Sequence, residues 1–448
     1  MDQLTNFLDE NSGRWSAVRR DLHRHPELGF TEYRTISMIA TALEKLGFAI
    51  RLGREVMDPG DIAGLPSEET RSEALRRAIA AGACPRMVER MGGGLTGLVA
   101  ERRRGSGPVV TMRFDVDALA MTESIESDHE PVQEGFRSRY DGLMHACGHD
   151  AHAAIGLAVA EAVAAEIADW RGTLRLIFQP AEESGRGARP MMEAGVVDDA
   201  QWFFALHIGC GLPTGEIATT ASGMLFSSKW DVTFTGRAAH AAGNPEEGRN
   251  ALLAAAQAAL ALHALPRHGR HATHVNVGRL MAGTARNVVP AHAEFEMELR
   301  GECRHALDLM ERRGREALAG AAASHGCECS ITAVSATVGA QSSAKAMRVV
   351  RSAAAAVGAI RVIHDSWPLG GGDDAAYFMQ RVGARGGEAC YFILGSDMPA
   401  DHHCSNFDID ESAIPVGAEI LVRALSAVTA SPDCGDNRAC PNVSELGK

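Results

Sequence analysis

Three short apolar runs limit the folds open to this chain: PVVTMRFD (108–115), TLRLIFQ (173–179) and WFFALHI (202–208). Near-continuous apolarity over so few residues marks strands buried on both faces, as in parallel sheets covered by helices. Helical patterns lie between the runs, notably over 151–168, so the order reads as α/β. The same pattern resumes after about residue 340, with YFILG (391–395) and a closing helix over 412–428.

Between these two stretches the periodicity changes. Ser228–Gly236 alternates, placing Trp230, Val232 and Phe234 on one face, and NPEEGRNALLAAAQAALALHAL (244–265) reads as a helix with Pro245 near its start. HVNVGRL (274–280) and HAEFEMELR (292–300) follow as strands, the second setting Ala293, Phe295, Met297 and Leu299 against Glu294, Glu296 and Glu298. A helix over about 304–324 and a strand, CSITAVS (329–335), complete a β-α-β-β-α-β order, that of a ferredoxin-like unit. The expectation is a large α/β domain in two segments, 1–221 and 337–430, interrupted by a small α+β domain over 222–336. Residues 14–47 read as one helix closed by Gly47, and the polar tail 431–448 as disordered.

Charge and cysteine usage narrow the function classes. With 44 Lys+Arg against 57 Asp+Glu the formal net charge is −13, which argues against nucleic acid and against an anionic membrane surface as partners. The N-terminus lacks the apolar segment of a signal peptide. The apolar stretches Ala153–Ala165 and Ala251–Leu265 are interrupted by Glu161, and by Gln257 and His263. Both fall short of the roughly 20 residues a membrane span needs. A cytoplasmic protein is expected, its 10 scattered cysteines reduced thiols.

Four clusters carry chemistry, and each is expected near the carboxyl end of a strand, where open α/β sheets bind ligands. HACGHDAH (145–152) sets Cys147 and His149 two apart; QPAEES (179–184) delivers Glu182 and Glu183 directly after a strand. ALHIG (205–209) ends a strand on His207, and DHHCSNFDIDE (401–411) holds His402 and His403. Singly, each has a bland reading as a polar turn, a solvated loop or a core histidine. Together they supply thiolate, imidazole and carboxylate donors enough for two divalent ions, with a carboxylate to spare as a base.

The chain resembles the M20 metallopeptidase/amidohydrolase family, in its branch of N-acyl-amino-acid and auxin-conjugate amidohydrolases. The resemblance rests on RRDLHRHPELGFTEYRT (19–35), MRFDVDAL (112–119), MHACGHDAH (144–152), IFQPAEES (177–184), FTGRAAHAAGNPEEGRNAL (234–252), GTARNVVP (283–290) and HHCSNFDIDE (402–411). LGREVM (52–57), MGGGLTGLVA (91–100) and HIGCGLPTGEI (207–217) are similar to the aminobenzoyl-glutamate hydrolase subfamily.

That resemblance implies a zinc-peptidase-like catalytic domain with a ferredoxin-like lid and dimerisation domain. It implies two divalent ions, Mn2+ or Zn2+, on Cys147 as bridging ligand with His149, Glu183, His207 and His403; His402 is the alternative to His403. Glu182 would be the general base and Asp115 would support the ligands from behind. Arg113 stands where other branches carry a metal-binding histidine. His240 would stabilise the oxyanion in a neighbouring subunit, and Asn287 and Arg300 would hold the substrate carboxylate. The expected reaction is amide hydrolysis of a small N-acyl amino acid, p-aminobenzoyl-glutamate foremost, by a homodimer or a heterodimer with a related M20 subunit. Two other readings compete: a thiol amidase with Cys147 as nucleophile and His149 as base, and a non-catalytic or partner-dependent subunit.

Overall fold

A computed structural model describes residues 2–430; the expected tail, 431–448, lies outside them. The larger sheet has eight strands, in spatial order Ala49–Leu52, Leu98–Arg104, Gly172–Gln179, Val109–Asp115, Trp202–Ile208, Glu388–Leu394, Glu216–Ala218 and Val362–His364. The four central strands, Gly172–Gln179 to Glu388–Leu394, run parallel, so Gln179, Asp115, Ile208 and Leu394 all end on one edge. Antiparallel neighbours close the sheet on both sides.

Both faces of those central strands are buried. Met112, Phe114, Leu176 and Phe204 pack on one face with Trp15, Ile155 and Leu421, from the helices Gln3–Arg24, His149–Ala164 and Ala413–Thr429. Ile177, Phe203, Tyr391 and Ile393 pack on the other with Met191, Phe378 and Val382, from Ala188–Glu193 and Ala375–Ala384. This is the two-sided burial that the apolar runs demand.

The smaller sheet is antiparallel, in the order Glu328–Thr337, Phe226–Thr235, His292–Gly301, Thr273–Ala282. Its helices Ala251–His263 and Arg304–Ser324 cover one face, where Trp230, Val232, Phe234, Phe295 and Leu299 form a separate core. The other face, which carries Lys229, Asp231, Glu298 and Arg300, is left open.

Two local readings are corrected. Residues 14–47 are not one helix: Gln3–Arg24 stops and Tyr33–Lys45 begins anew. Pro26 causes the break, because its ring disfavours helical backbone at the preceding residue and supplies no N–H. The Glu27 carboxylate then accepts the Arg34 and Thr35 amides, at 2.9 and 2.8 Å, giving the second helix partners at its start. Likewise Pro245–Glu247 is a separate turn of 3-10 helix, and the long helix begins at Ala251, where the Asn250 side chain caps the Leu253 amide.

Candidate metal centre

The parallel strand ends bring the four clusters together. His207 lies in Trp202–Ile208, Asp115 closes Val109–Asp115, and Glu182 and Glu183 follow Gly172–Gln179. The Cys147–His149 turn differs from expectation, since a long segment separates it from the preceding strand. It enters the site through Gly148, whose φ of +86° is the left-handed region, and a Cβ there would meet Ile208 Cγ2 at 2.5 Å. No side chain fits that turn, so Cys147 and His149 are held against His207 by glycine.

Hydrogen bonds orient the donors. His149 gives its Nδ1–H to the Asp117 carbonyl at 3.0 Å, and His207 gives its Nδ1–H to the Ile208 carbonyl at 2.9 Å. Both rings therefore present Nε2 to the site, as metal-binding histidines do. His152, although close, has both nitrogens engaged, by Asp115 and by the Ile208 amide. Asp117 accepts the amides of Glu182 and Glu183 at 3.0 and 3.1 Å, and Glu32 accepts the Ala181 amide at 2.9 Å. These buried carboxylates pin the loop so that oxygens of Glu182 and of Glu183 both lie 3.9 Å from His149 Nε2.

Ligand atoms of Cys147, His149 and His207 lie within 4.8 Å of one another, and so do those of Cys147, Glu183 and His403. Cys147 is common to both groups. These five residues include each expected ligand, and the same proximity also joins Glu182 with His149 and Glu183, and Asp115 with His149 and His152. His403, at a φ of +64°, places Nε2 3.3 Å from Glu183. His402 instead accepts the Cys210 amide on its Nε2 at 3.0 Å, and groups with His207 and Cys210.

The electrostatics favour a bound cation. Burial pushes the Cys147 thiol well up, and Glu183 up to about 7. Burial, reinforced by Asp373, pushes Glu182 well above the carboxylate range. Burial also drives His207 well below its ordinary value. His149 is the exception: burial opposes its charge, but Asp115 and Cys147 outweigh it and raise it. His149 Nε2 and Glu183 Oε1 are buried without any hydrogen-bond partner. Soft, deprotonatable donors with orphaned lone pairs, converging on one point, fit a divalent ion of the zinc or manganese kind.

Behind the donors lies a layer that motif reading missed. Arg113 is fully buried; it donates to Gln179 at 2.7 Å and to Asp115 at 2.6 Å, and pairs with Asp373 at 3.0 Å and Asp374 at 3.3 Å. Asp374 in turn accepts the Gly187 and Ala188 amides. The signal was DD after a glycine run in GGGDDAAY (370–377). Asp115 also bonds His152 Nδ1 and comes within 3.7 Å of His149 Nε2, the nitrogen that faces the site, so it lies among the donors and not only behind them. On the other side, Arg19 and His23 of RRDLHRHPE bind Asp150 at 2.9 and 2.8 Å and fix the start of the His149–Ala164 helix. Replacing Arg113 by Met should destabilise the protein by about 3–5 kcal/mol, because three buried carboxylates lose their countercharge. Urea unfolding measures this, and an unchanged midpoint would contradict the countercharge role.

A cleft of 850 Å3 opens over the donors, lined by Glu182, Glu183 and His403 on one side and by Lys229 and Arg300 of the small sheet on the other. Arg300 thus faces the site, paired to Glu298 at 3.1 Å. His240 and Asn287 are not among the residues lining that cleft. They lie together in the small domain, where the Ala241 amide donates to the Asn287 carbonyl at 3.0 Å and His240 bridges to Val288. His240 Nδ1 accepts the Gly243 amide at 2.9 Å and the Ala242 amide at 3.2 Å, which leaves Nε2–H as a free donor.

The profile of the peptidase family M20/M25/M40 matches residues 111–427. The chain belongs to this family. Among M20 relatives, it is 43% identical to indole-3-acetyl-aspartic acid hydrolase of Enterobacter agglomerans, over 96% of this chain and 98% of the relative. It is 40% identical to one of the subunits of p-aminobenzoyl-glutamate hydrolase from Escherichia coli, over 94% and 98%. The crystal structure of an aminobenzoyl-glutamate utilization protein from Klebsiella pneumoniae superposes with a TM-score of 0.70 at 39% identity, covering 95% of this chain and 98% of that one. A dinuclear metal-binding M20 peptidase from Bacillus subtilis gives 0.72 at 26% identity, over 94% and 99%. The chain is an M20 hydrolase of α/β fold, and among its described residues no helix is long and apolar enough to cross a membrane.

Proposed function

We propose that this M20 chain hydrolyses the amide bond of an N-acylated amino acid, with p-aminobenzoyl-glutamate as leading substrate. The observation that carries the proposal is the pair of donor groups that share Cys147, one with His149 and His207 and the other with Glu183 and His403. Cys147, His149, Glu183, His207 and His403 would hold two divalent ions, Mn2+ or Zn2+. Bound there, the ions would lower the pKa of a water towards neutrality and polarise the amide carbonyl.

The remaining steps belong to the chain. Glu182 takes the proton of the attacking water and passes it to the departing amine. Asp117 holds the Glu182 and Glu183 amides and so keeps both carboxylates beside His149. Arg300, from across the cleft, holds the α-carboxylate of the amino acid. His240, with its free Nε2–H and Asn287 beside it, acts in the cleft of a second protomer, as an oxyanion donor.

Residues 222–336 form the lid and dimerisation domain in this reading, and 1–221 with 337–430 the catalytic domain. The small-domain helix Ala251–His263 supports an inter-protomer contact, because Leu253 is 48% and Leu260 75% exposed on it. The partner is a second copy or a related M20 subunit, and the site of action is the cytoplasm.

The identity to the indoleacetyl-aspartate enzyme favours a second substrate, indole-3-acetyl-aspartate. Metal-reconstituted protein, alone and with a related M20 subunit, should be assayed on both compounds, hippurate and N-acetyl amino acids. Release of p-aminobenzoate and glutamate is expected. Cleavage of none of these amides under either condition would refute the proposal.

A further inference from the structure

The cleft is segregated by charge. Its floor carries Glu182, Glu183, Asp373, Asp374 and Asp401, whereas Lys229 and Arg300 of the small sheet are the only lysine and arginine among its described lining residues. Both rise from the sheet face that the helices leave open. Phe226–Thr235 and His292–Gly301 pair with Lys229 opposite Glu298 and Ser227 opposite Arg300, so the two cations stand on neighbouring strands on the same side. An anionic group entering from that side meets them before it meets the acidic floor.

The two cations are not equivalent. Arg300 is already neutralised in part, its Nε and one terminal nitrogen held by the two Glu298 oxygens at 3.1 and 3.2 Å. That pairing also occupies the acid opposite Lys229. Among the described residues, no ion pair or hydrogen bond engages the Lys229 ammonium, and its side chain is exposed to the cleft. A protein of net charge −13 that leaves one lysine unpaired above a ring of carboxylates has a place for a ligand's negative charge.

We infer that Lys229 is a specificity-determining residue, which holds the side-chain carboxylate of an acidic amino acid in the leaving group. The inference rests on the amide-hydrolase reading above. With Arg300 on the α-carboxylate, the second cation selects glutamate or aspartate conjugates over those of neutral amino acids. A flexible ammonium suits a carboxylate whose distance from the scissile amide differs between the two, since it needs no planar fork geometry.

The test is a matched pair of substrates, p-aminobenzoyl-glutamate and p-aminobenzoyl-glutamine, given to metal-reconstituted full-length wild type, Lys229→Met and Lys229→Arg. Wild type should prefer the glutamate compound. Lys229→Met should lower kcat/KM for it by about 30-fold, chiefly through KM, and change the glutamine compound by less than about 3-fold. Lys229→Arg should keep part of the preference. Equal losses on both substrates, or an unaltered preference in Lys229→Met, would overturn the inference and leave the amide-hydrolase reading intact. Cleavage of neither by wild type would overturn both.

Discussion

Glu182→Gln is expected to lower turnover by about 10³-fold or more while leaving metal content unchanged. The amide is isosteric with the carboxylate but accepts no proton. The Asp117 contact that positions residue 182 runs through its backbone N–H, so the substitution leaves the loop in place. Burial and the nearby Asp373 charge push Glu182 well above the ordinary carboxylate range. Glu183→Gln should behave differently, since Glu183 is grouped with Cys147 and His403, and its loss should lower metal content as well as rate. Near-normal turnover of Glu182→Gln would remove Glu182 as the base.

The second large effect is metal removal. Dialysis against a chelator should abolish turnover, by about 10³-fold or more, and added Mn2+ or Zn2+ should restore it. The physical basis is that this pocket has no strong acid or activated nucleophile of its own. Burial pushes the Cys147 thiol well up, away from the thiolate that a nucleophile needs. A thiol amidase would also leave Glu183, His207 and His403 without tasks. Full activity after exhaustive chelation would reinstate the thiol reading.

Several candidate donors were legible in the sequence because they sit at places the α/β pattern itself marks, whereas His403, in a turn well before the last helix, was legible only through its motif. His207 ends an apolar strand, Glu182 and Glu183 follow one, and Cys147–His149 immediately opens a helix. What holds the donors in position was not readable. Asp117 reaches the Glu182 amide, Glu32 the Ala181 amide and Arg19 the Asp150 carboxylate across long loops, and no local periodicity encodes such a contact. Arg113 stands out in the sequence only as the residue in a histidine's place. Its partners Asp373 and Asp374 come from the far segment, brought alongside by the Glu388–Leu394 strand and the Tyr391 hydroxyl on Asp373.

Burial patterns in the small sheet follow the alternation of Ala293, Phe295, Met297 and Leu299, all of which are buried. That alternation says which residues face the helices and nothing about what the opposite face meets. Arg300 is identified by resemblance alone, and Lys229 not at all, because its significance depends on the cleft that the open face helps to line. The break at Pro26 escapes for a simpler reason. Apolar helical spacing continues on both sides of it, in Leu22 and in Ile36 and Ile39, and masks the interruption.

The whole mechanism depends on Cys147 serving two ligand groups at once, and metal stoichiometry reads this out without reference to any substrate. Wild-type protein and Cys147→Ala should be reconstituted with Mn2+ or Zn2+, freed of loose ions and analysed for metal per folded chain, with Glu182→Gln as control. Two ions are predicted in wild type and in Glu182→Gln, and no more than one in Cys147→Ala, whose remaining donors then serve at most one site. Two ions retained in a folded Cys147→Ala protein, or only one bound by wild type, would contradict the shared-ligand arrangement.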